Sequence, residues 1–431
     1  MGRGVRTRLL GMERLLRRFG EDPVGTVTFF RCGGRAARDA AVEELQGRLC
    51  AVVEANPWLL GRIEGSDLAF EEPARPPAEW PADAFRVYAP EELQMHCGMH
   101  LRDFAAIARS TQAGQGKRDP LFRLSVVMDA EEPGKRFAVI FSLNHVAGDG
   151  HTYYSLLAML GGTAPCRPLN PLRKSEVEAH VKKLLGEKES MLFSSLAFAV
   201  SLLAGMVASA LIRMRKAVLG REEDSLRIET LRISQSWVER EKAAVRGLDG
   251  VEFVSTNDLL ASWWFRSPFD GGEKPTLSAM AVNFRGRAES CFEDDAGNYE
   301  NVLIYRPEDV ETPALIRKSL QGGKFRRAGS PRTALPTTLE IVRGAFAIST
   351  NWSTFDRGMD LPKCETELHA PLLGPSSEWM ARWRACVIYR PRRGELAAAV
   401  LGYPRLLPPL DDPSGPFAGP VDAAPARPRP R

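Results

Sequence analysis

The chain has 431 residues, of which 44% are hydrophobic and 26% are charged, a globular composition that excludes a disordered, fibrous or disulfide-framed protein. Its 58 basic and 54 acidic side chains are interspersed and leave a formal net charge of only +4, so no nucleic-acid partner is predicted. A chain of this length is expected to form two domains or one large two-lobed unit.

The first stretch, residues 1–18, is rich in arginine and helical in pattern. We expect it to belong to the fold, with an organelle transit peptide as the alternative. Seven widely spaced cysteines, an odd number, favour a reducing compartment. The protein is therefore predicted to be cytoplasmic, or peripheral on the cytoplasmic face of a membrane.

Residues 1–175 are predicted to form a first lobe of mixed α/β structure. A strand is expected at residues 27–30. Apolar side chains recur every three or four positions over residues 37–56, which predicts a helix that ends before Pro57. This helix should lay one apolar stripe on a sheet.

A hairpin is predicted before the most informative motif of the chain. Residues 122–128 and 137–143 are rich in apolar and β-forming side chains and flank the turn-forming Glu-Pro-Gly at 132–134. The second strand leads directly to His145. Upstream, the segment 96–100 carries two histidines, but no third and fourth ligand lies nearby, so no metal site is predicted.

Residues 176–225 are predicted to cross between the halves and to contain an apolar helix over residues 191–212, which carries no charge. Its length would allow it to span a bilayer. Basic residues flank both ends and several serines interrupt it, so no membrane orientation follows.

Residues 226–403 are predicted to form a second α/β lobe, and residues 404–431, rich in proline, glycine, alanine and arginine, a disordered tail. The strand candidates of the second lobe are residues 279–284, 302–305, 346–350, 385–389 and 396–401.

The run His-Val-Ala-Gly-Asp-Gly from His145 to Gly150 carries the predicted chemistry. A strand directly before His145 would hold its imidazole at a fixed point, and an ordinary imidazole pKa of about 6.5 suits a general base. Asp149 would satisfy a buried cation, and Gly150 would permit close approach of substrate. The alternatives are that His145 is a structural histidine, as a lone histidine more often is, and that Asp149-Gly150 is an ordinary turn.

This run and the strand before it resemble the active-site motif of the superfamily that contains BAHD acyltransferases, alcohol acetyltransferases, wax ester synthases, chloramphenicol acetyltransferase and peptide-synthetase condensation domains. Further stretches resemble that family in the same order: residues 56–63, 254–263, 282–287, Gly297-Asn298 and 349–353. The resemblance covers roughly residues 10–400.

Two positions depart from the family pattern. Asn144 stands where the stricter His-His form has its first histidine, which resembles BAHD usage. The DFGWG signature is absent, and residues 355–362 stand in its place, which speaks against the plant BAHD group proper.

The resemblance implies a two-lobed α/β fold of the chloramphenicol acetyltransferase type, each lobe a mixed sheet flanked by helices, with the active-site channel between the lobes. It implies acyl-CoA as co-substrate, a hydroxyl or amine acceptor, no permanently bound cofactor and no metal. We expect a monomer. The alternatives are a condensation-type enzyme with a carrier-bound acyl donor, or a non-catalytic binding module of the same fold.

The resemblance also assigns roles to residues. His145 would be the general base, and Asp149 would pair with Arg285 across the lobes; a solvated strand-end charge is the alternative for Arg285. Neighbouring His151 is expected to line the channel or the surface. The candidates for the oxyanion site or the channel lining are Asn144, Thr350, Asn351, Trp352 and Ser353.

These roles require residues from both halves in one cleft, so a single membrane crossing at residues 191–212 would separate them. The segment should instead lie in the membrane interface, form a re-entrant hairpin near Gly205, or pack as a buried crossover helix. Membrane contact would favour a lipophilic donor or acceptor.

Overall fold

The computed structural model describes residues 3–19, 22–72, 76–96, 99, 113, 119–190, 192, 195–219, 226–247, 250–269, 272–323, 325–331, 335–373 and 381–421. Its helices are α1 Gly11–Phe19, α2 Arg35–Ala55, α3 Gly150–Leu160, α4 Ser175–Leu185, α5 Glu187–Ser190, α6 Leu196–Leu219, α7 Gln235–Val245, α8 Thr256–Arg266, α9 Pro313–Leu320 and α10 Thr338–Arg343. Its strands are β1 Arg3–Arg8, β2 Val24–Cys32, β3 Arg62–Glu64, β4 Asp67–Glu72, β5 Phe85–Tyr88, β6 Phe122–Met128, β7 Arg136–Leu143, β8 Arg227–Ile233, β9 Leu277–Asn283, β10 Glu300–Tyr305, β11 Phe346–Asn351, β12 Cys364–Pro371, β13 Trp383–Tyr389, β14 Ala397–Gly402 and β15 Phe417–Pro420.

The first large sheet has the strand order β12-β2-β7-β6-β5. Strands β6 and β7 form the predicted antiparallel hairpin, and α2 covers the predicted helix, so both local predictions are confirmed. These strands are apolar on both faces, as expected for a sheet with no solvent-facing side. One face packs on α2 and α3, and the other meets the second sheet.

The second large sheet has the order β10-β9-β11-β13-β14-β8-β15 and contains all five strands predicted for the second half. Helices α7, α8 and α9 cover one face. The other face is shared, because part of it packs against the first sheet through side chains such as Val387 and Tyr389, and part is covered by α6 and α10. The two sheets therefore share a core.

Strand β12 corrects the predicted lobe boundaries. It lies within the predicted second lobe, yet it pairs antiparallel with β2 of the first sheet, from Cys364 opposite Cys32 to Pro371 opposite Thr26. Strand β12 covers the edge of β2, and an uncovered sheet edge is unfavourable. This is the physical reason that a strand of the second half joins the first sheet. A clean division at residues 175 and 226 therefore does not describe the sheets.

The predicted disordered tail is also corrected. Strand β15 pairs with β8, and the Phe417 ring packs edge-to-face on Trp263 with centroids 5.3 Å apart. Residues 404–421 are thus part of the fold, because a few apolar side chains are enough to anchor a chain along an existing sheet edge. Residues 422–431 lie outside the described part of the chain.

The predicted apolar helix exists as α6, but it begins at Leu196 and runs to Leu219, 24 residues in all. It is the one described helix long and apolar enough to cross a membrane. Near the N-terminus, β1 pairs with β4 and α1 follows it, so residues 3–19 belong to the fold.

Candidate active site

The turn that carries His145 is held by main-chain and side-chain hydrogen bonds. Strand β7 ends at Leu143, and the Asn144 N–H donates to the Leu121 carbonyl at 2.7 Å. The Asn144 side-chain oxygen accepts from Val146 N at 3.0 Å. Asn144 therefore shapes the turn, and the half-buried His145 ring extends from a rigid support.

Asp149 is the N-cap of α3 and is buried. Its Oδ1 accepts from Thr152 N at 3.0 Å, and its Oδ2 accepts from Arg285 Nη1 at 2.8 Å and from Tyr299 N at 3.0 Å. Burial by itself would raise the pKa of this carboxyl, but the Arg285 guanidinium holds it below its ordinary value. Asp149 is therefore ionised and joins the motif to the second half of the chain.

Arg285 tolerates complete burial because every one of its donors has an acceptor. Besides Asp149, Nη1 donates to Asn283 Oδ1 at 3.1 Å and Nε donates to the Asp295 carbonyl at 2.8 Å. Its Nη2 donates to Thr152 Oγ1 at 3.1 Å and to the Gly297 carbonyl at 2.8 Å. A buried ion pair is stable when all of its hydrogen-bond donors have acceptors in this way.

Asn298 contacts His145 at two points. Its Oδ1 lies 3.2 Å from the His145 Nδ1, and its Nδ2 donates to the His145 carbonyl at 2.8 Å. The sequence indicates Asn298 only as part of a Gly-Asn pair, because a separation of 153 residues hides the contact. The ring is thus oriented by a residue of the second half.

Glu13 of α1 lies behind Asn298 and is fully buried. Its Oε1 accepts from Asn298 N at 3.0 Å, and Arg173 Nε lies 3.0 Å from the same oxygen. Arg173 Nη2 also donates to the Ala147 carbonyl, inside the motif, at 2.8 Å. Sequence inspection singles out neither Glu13 nor Arg173, since neither belongs to a recognisable local pattern.

Gly150 lies against Trp352. A Cβ atom at position 150 would stand 3.3 Å from the Trp352 Nε1, so glycine permits the close approach of the indole. Trp352 also packs edge-on against Tyr154 of α3, with ring centroids 6.0 Å apart. The structure therefore brings Trp352 to the end of the motif.

The other predicted residues of β11 and its end have local partners. Ser353 Oγ donates to Asn351 Oδ1 at 2.7 Å, and Asn351 Nδ2 donates to Asn257 Oδ1 at 3.2 Å. Thr350 pairs with Val387 in the sheet. These contacts tie Asn351 and Ser353 to the strand end and to α8.

His151 is a second histidine beside the motif. Its Nε2 lies 2.9 Å from the Glu293 carbonyl oxygen, and burial together with the nearby Arg285 charge lowers its pKa. It is therefore neutral at pH 7 and occupied by structural contacts.

A cleft of about 560 Å³ opens beside this network. Helices α1 and α4 form two of its walls, and residues 298–301 form another. Asn298 therefore both lines the cleft and contacts the His145 ring. No group of three metal-ligating side chains occurs among the described residues, and of the segment 96–100 only His96 and Met99 are described.

No sequence profile of a known family and no curated protein matches the chain. Solved structures match it over nearly its whole length. TRI101 of F. sporotrichioides, crystallised with coenzyme A and T-2, is 12% identical, with a TM-score of 0.56 over 92% of this chain and 95% of that one. Vinorine synthase is 12% identical, with a TM-score of 0.53 over 92% and 90% of the two chains. The first condensation domain of the CDA synthetase is 13% identical, with a TM-score of 0.54 over 94% and 92%.

These neighbours all have folds of the CoA-dependent acyltransferase type. The predicted mixed α/β fold of the chloramphenicol acetyltransferase type is therefore confirmed. At identities this low the likeness establishes the fold and leaves the reaction to be argued from the residues.

Proposed function

We propose that the chain transfers an acyl group from acyl-CoA to a hydroxyl or amine acceptor, with His145 as the general base. The observation that carries the proposal is the position of His145: it follows a buried strand, its ring is bonded by Asn298, and Asp149 four residues on is pinned by Arg285. Several neighbours of this fold were crystallised with coenzyme A, which supports the choice of donor.

The proposed reaction needs only proton movement at the imidazole. As the acceptor oxygen or nitrogen attacks the thioester carbonyl, His145 takes the acceptor proton. Collapse of the tetrahedral intermediate expels the thiolate, which receives the same proton, and the products are the acylated acceptor and free CoA. The groups near Trp352 are the candidates to stabilise the oxyanion, where one well-placed donor is worth about 3 kcal/mol.

The test incubates purified protein with a panel of acyl-CoAs of increasing chain length and with alcohols and amines, and measures release of free thiol. His145→Ala should lower turnover by about 10²–10⁴-fold, the usual contribution of a general base, while the protein remains folded. His180→Ala is the matched control, because His180 lies on α4 and bonds only to Glu289 N in the described contacts. Full activity of the His145 variant would refute the mechanism.

A carrier-bound donor is the second candidate, favoured by the condensation-domain neighbour. Acyl-CoA and an acyl-phosphopantetheinyl carrier protein can be compared as donors in the same thiol assay. Turnover with the carrier alone would favour the condensation-type reaction, and failure with both would favour a binding module of this fold.

We also propose that α6 lies on an anionic membrane surface, with its axis in the membrane plane. Its exposed apolar side chains recur at intervals of three and four and so form one stripe of about 33 Å. They are Leu196, Val200, Leu203, Met206, Val207, Leu211, Met214 and Val218. Such a stripe is larger than the scattered apolar side chains of an ordinary surface.

Charge and topology support a bilayer surface as the occupant. No acidic residue occurs between Glu189 and Glu222, while Arg213 and Arg215 are exposed on α6 itself. Helix α4 before it and strand β8 after it contribute to the same hydrophobic core. A single crossing by α6 would place these two elements on opposite sides of a bilayer, so α6 does not span one. We therefore propose a peripheral position on the cytoplasmic face, where anionic lipids lie, and a lipophilic acyl donor or acceptor.

Flotation with vesicles tests the membrane proposal. The protein should float with vesicles that contain phosphatidylserine and less with neutral phosphatidylcholine vesicles, because the basic side chains add attraction to anionic lipid. Absence of flotation together with a dimer in sedimentation would instead assign the stripe to a second copy of the chain.

A further inference from the structure

We propose that Glu13, acting through Asn298, sets the tautomer and orientation of the His145 ring, so that Nε2 is the nitrogen that exchanges the proton. The inference rests on the proposed function for its catalytic meaning, but the tautomer is a property of the protein alone.

The first step concerns which way the Asn298 amide faces. Its Nδ2 side meets two groups that only accept hydrogen bonds, the His145 carbonyl at 2.8 Å and the Glu13 Oε1 at 3.5 Å. Turning the amide over would place its oxygen against both of these acceptors. The amide nitrogen therefore faces them, and Oδ1 faces the imidazole.

The second step follows from the chemistry of a neutral imidazole, in which one ring nitrogen carries the proton and the other accepts. With the Asn298 Oδ1 at 3.2 Å, the His145 Nδ1 must be the donor. The proton therefore sits on Nδ1, and Nε2 carries the lone pair that a general base requires.

The third step explains why Asn298 is itself immobile. Glu13 Oε1 accepts from the Asn298 main-chain N–H at 3.0 Å, and Glu13 Oε2 accepts from Leu10 N at 2.9 Å. The Glu13 charge is compensated by Arg173, and both side chains are almost entirely buried. A carboxylate held in this way cannot leave Asn298 for solvent.

The arrangement joins three distant parts of the chain. Glu13 belongs to α1, Arg173 precedes α4 and bonds the Ala147 carbonyl, and Asn298 precedes β10. Glu13 and Asn298 are positioning residues rather than catalytic ones, because Asn298 contacts the Nδ1 side of the ring and the proposed reacting nitrogen is Nε2. Their loss should misplace the ring rather than remove the base.

The tautomer can be measured without any substrate. Imidazole ¹⁵N chemical shifts of histidine-labelled protein distinguish a protonated Nδ1 from a protonated Nε2, and His145→Gln identifies the His145 signals. Wild type should show the Nδ1–H form. In Asn298→Ala the signal should move towards a mixture of the two tautomers. An Nε2–H form in wild type, or no change in Asn298→Ala, would overturn the inference.

Activity provides the second readout. Asn298→Ala should lower kcat by about 10²-fold with little change in KM, the size expected when a reacting group is misplaced by about 1 Å. The control is His180→Ala: His180 lies on α4, is not among the residues that line the cleft, and accepts from Glu289 N. The control should leave both kcat and the His145 signals unchanged, and an equal loss in both variants would count against a specific role for Asn298.

Glu13→Gln tests the outer part of the arrangement. It should shift the His145 tautomer in the same direction as Asn298→Ala, since an amide at position 13 can offer a donor where Asn298 needs an acceptor. If this variant fails to fold because Arg173 is left with an uncompensated charge, the double variant Glu13→Gln/Arg173→Gln removes both charges. An unchanged tautomer in a folded variant would exclude Glu13 from the mechanism.

The two proposals fail in different ways. If the acyltransferase proposal is wrong, wild type will release no thiol, while the ¹⁵N shifts will still report the tautomer of the His145 ring. If the positioning proposal is wrong, wild type will remain active, but the ¹⁵N shifts will show an Nε2–H form or will not change in Asn298→Ala.

Discussion

The motif around His145 buries charged side chains, whereas helix α6 exposes apolar ones. Both regions depart from the usual distribution of side chains between core and surface. At the motif, Asp149 and Arg285 are charged yet at most 1% of either side chain is exposed. On α6, Leu196 and Val218 are apolar yet 81% and 76% exposed. Each arrangement is costly unless something compensates for it.

The compensation differs between the two regions. Every donor of Arg285 finds an acceptor inside the chain, so the motif is complete by itself. The exposed stripe of α6 has no such cover in the described part of the chain. Buried charges whose partners lie inside the chain indicate a rigid site. Exposed apolar side chains without cover indicate contact with an external surface.

The largest expected effect is at the buried ion pair. Asp149→Ala should destabilise the protein by about 3–5 kcal/mol, because Arg285 keeps its charge and loses its counter-charge. Urea unfolding at pH 7 measures this loss. Replacing both residues, as Asp149→Leu with Arg285→Met, should recover much of it; a single variant as stable as wild type would show that the pair does not hold the motif.

Two adjacent leucines of α6 provide the sharpest test of the contrast. Leu202 is 6% exposed and Leu203 is 60% exposed. Leu202→Ala should cost about 2–5 kcal/mol of stability, and Leu203→Ala about 0.5 kcal/mol or less. Flotation should show the reverse order, with vesicle affinity about tenfold weaker only for Leu203→Ala. Equal flotation of the two variants would remove the membrane surface from consideration.

A smaller effect is expected at Gly148 within the motif. An added Cβ would stand 2.7 Å from the Thr152 Cγ2, so the Thr152 side chain that accepts from Arg285 would have to move. Gly148→Ala should therefore cost about 1–3 kcal/mol and reduce activity. Gly134→Ala in the hairpin turn is the control, because nothing lies within 4 Å of its added Cβ. Thermal unfolding of both variants gives the comparison.

The smallest expected effect is a pH dependence of stability. Burial lowers the pKa of His369, whose ring bonds to Thr28 Oγ1 at 2.9 Å and to the Tyr154 hydroxyl at 3.1 Å. The unfolded chain then binds more protons than the folded one, so stability is fully present above the ordinary pKa of 6.5 and falls as pH drops below it.

His151 contributes in the same direction, because its pKa is lowered as well. The slope per histidine should be at most about 1.4 kcal/mol per pH unit. Melting temperatures between pH 7.5 and 5 measure it, and His369→Gln should flatten the curve. A wild-type melting temperature that stays constant over this range would contradict the prediction.

Elements with strong local patterns were predictable from the sequence. The hairpin β6–β7, helix α2 and the five strands of the second half follow from apolar periodicity and turn residues, which act over a few positions. Strand β12 was not predictable in this way, because Glu367 interrupts its apolar pattern. Its carboxylate lies 8% exposed between Arg31 and Arg136, at 2.7 and 3.0 Å, and only strand pairing reveals those partners.

The amino-acid sequence alone predicted the fold class, through the resemblance of its ordered motifs to a known family, and it placed His145 directly after a predicted strand. Only the tertiary structure decided which groups touch that histidine. Asn298 and Glu13 lie 153 residues after and 132 residues before His145, and such contacts arise from packing of whole sheets rather than from local propensity. The orientation of one ring is therefore a property of the assembled fold.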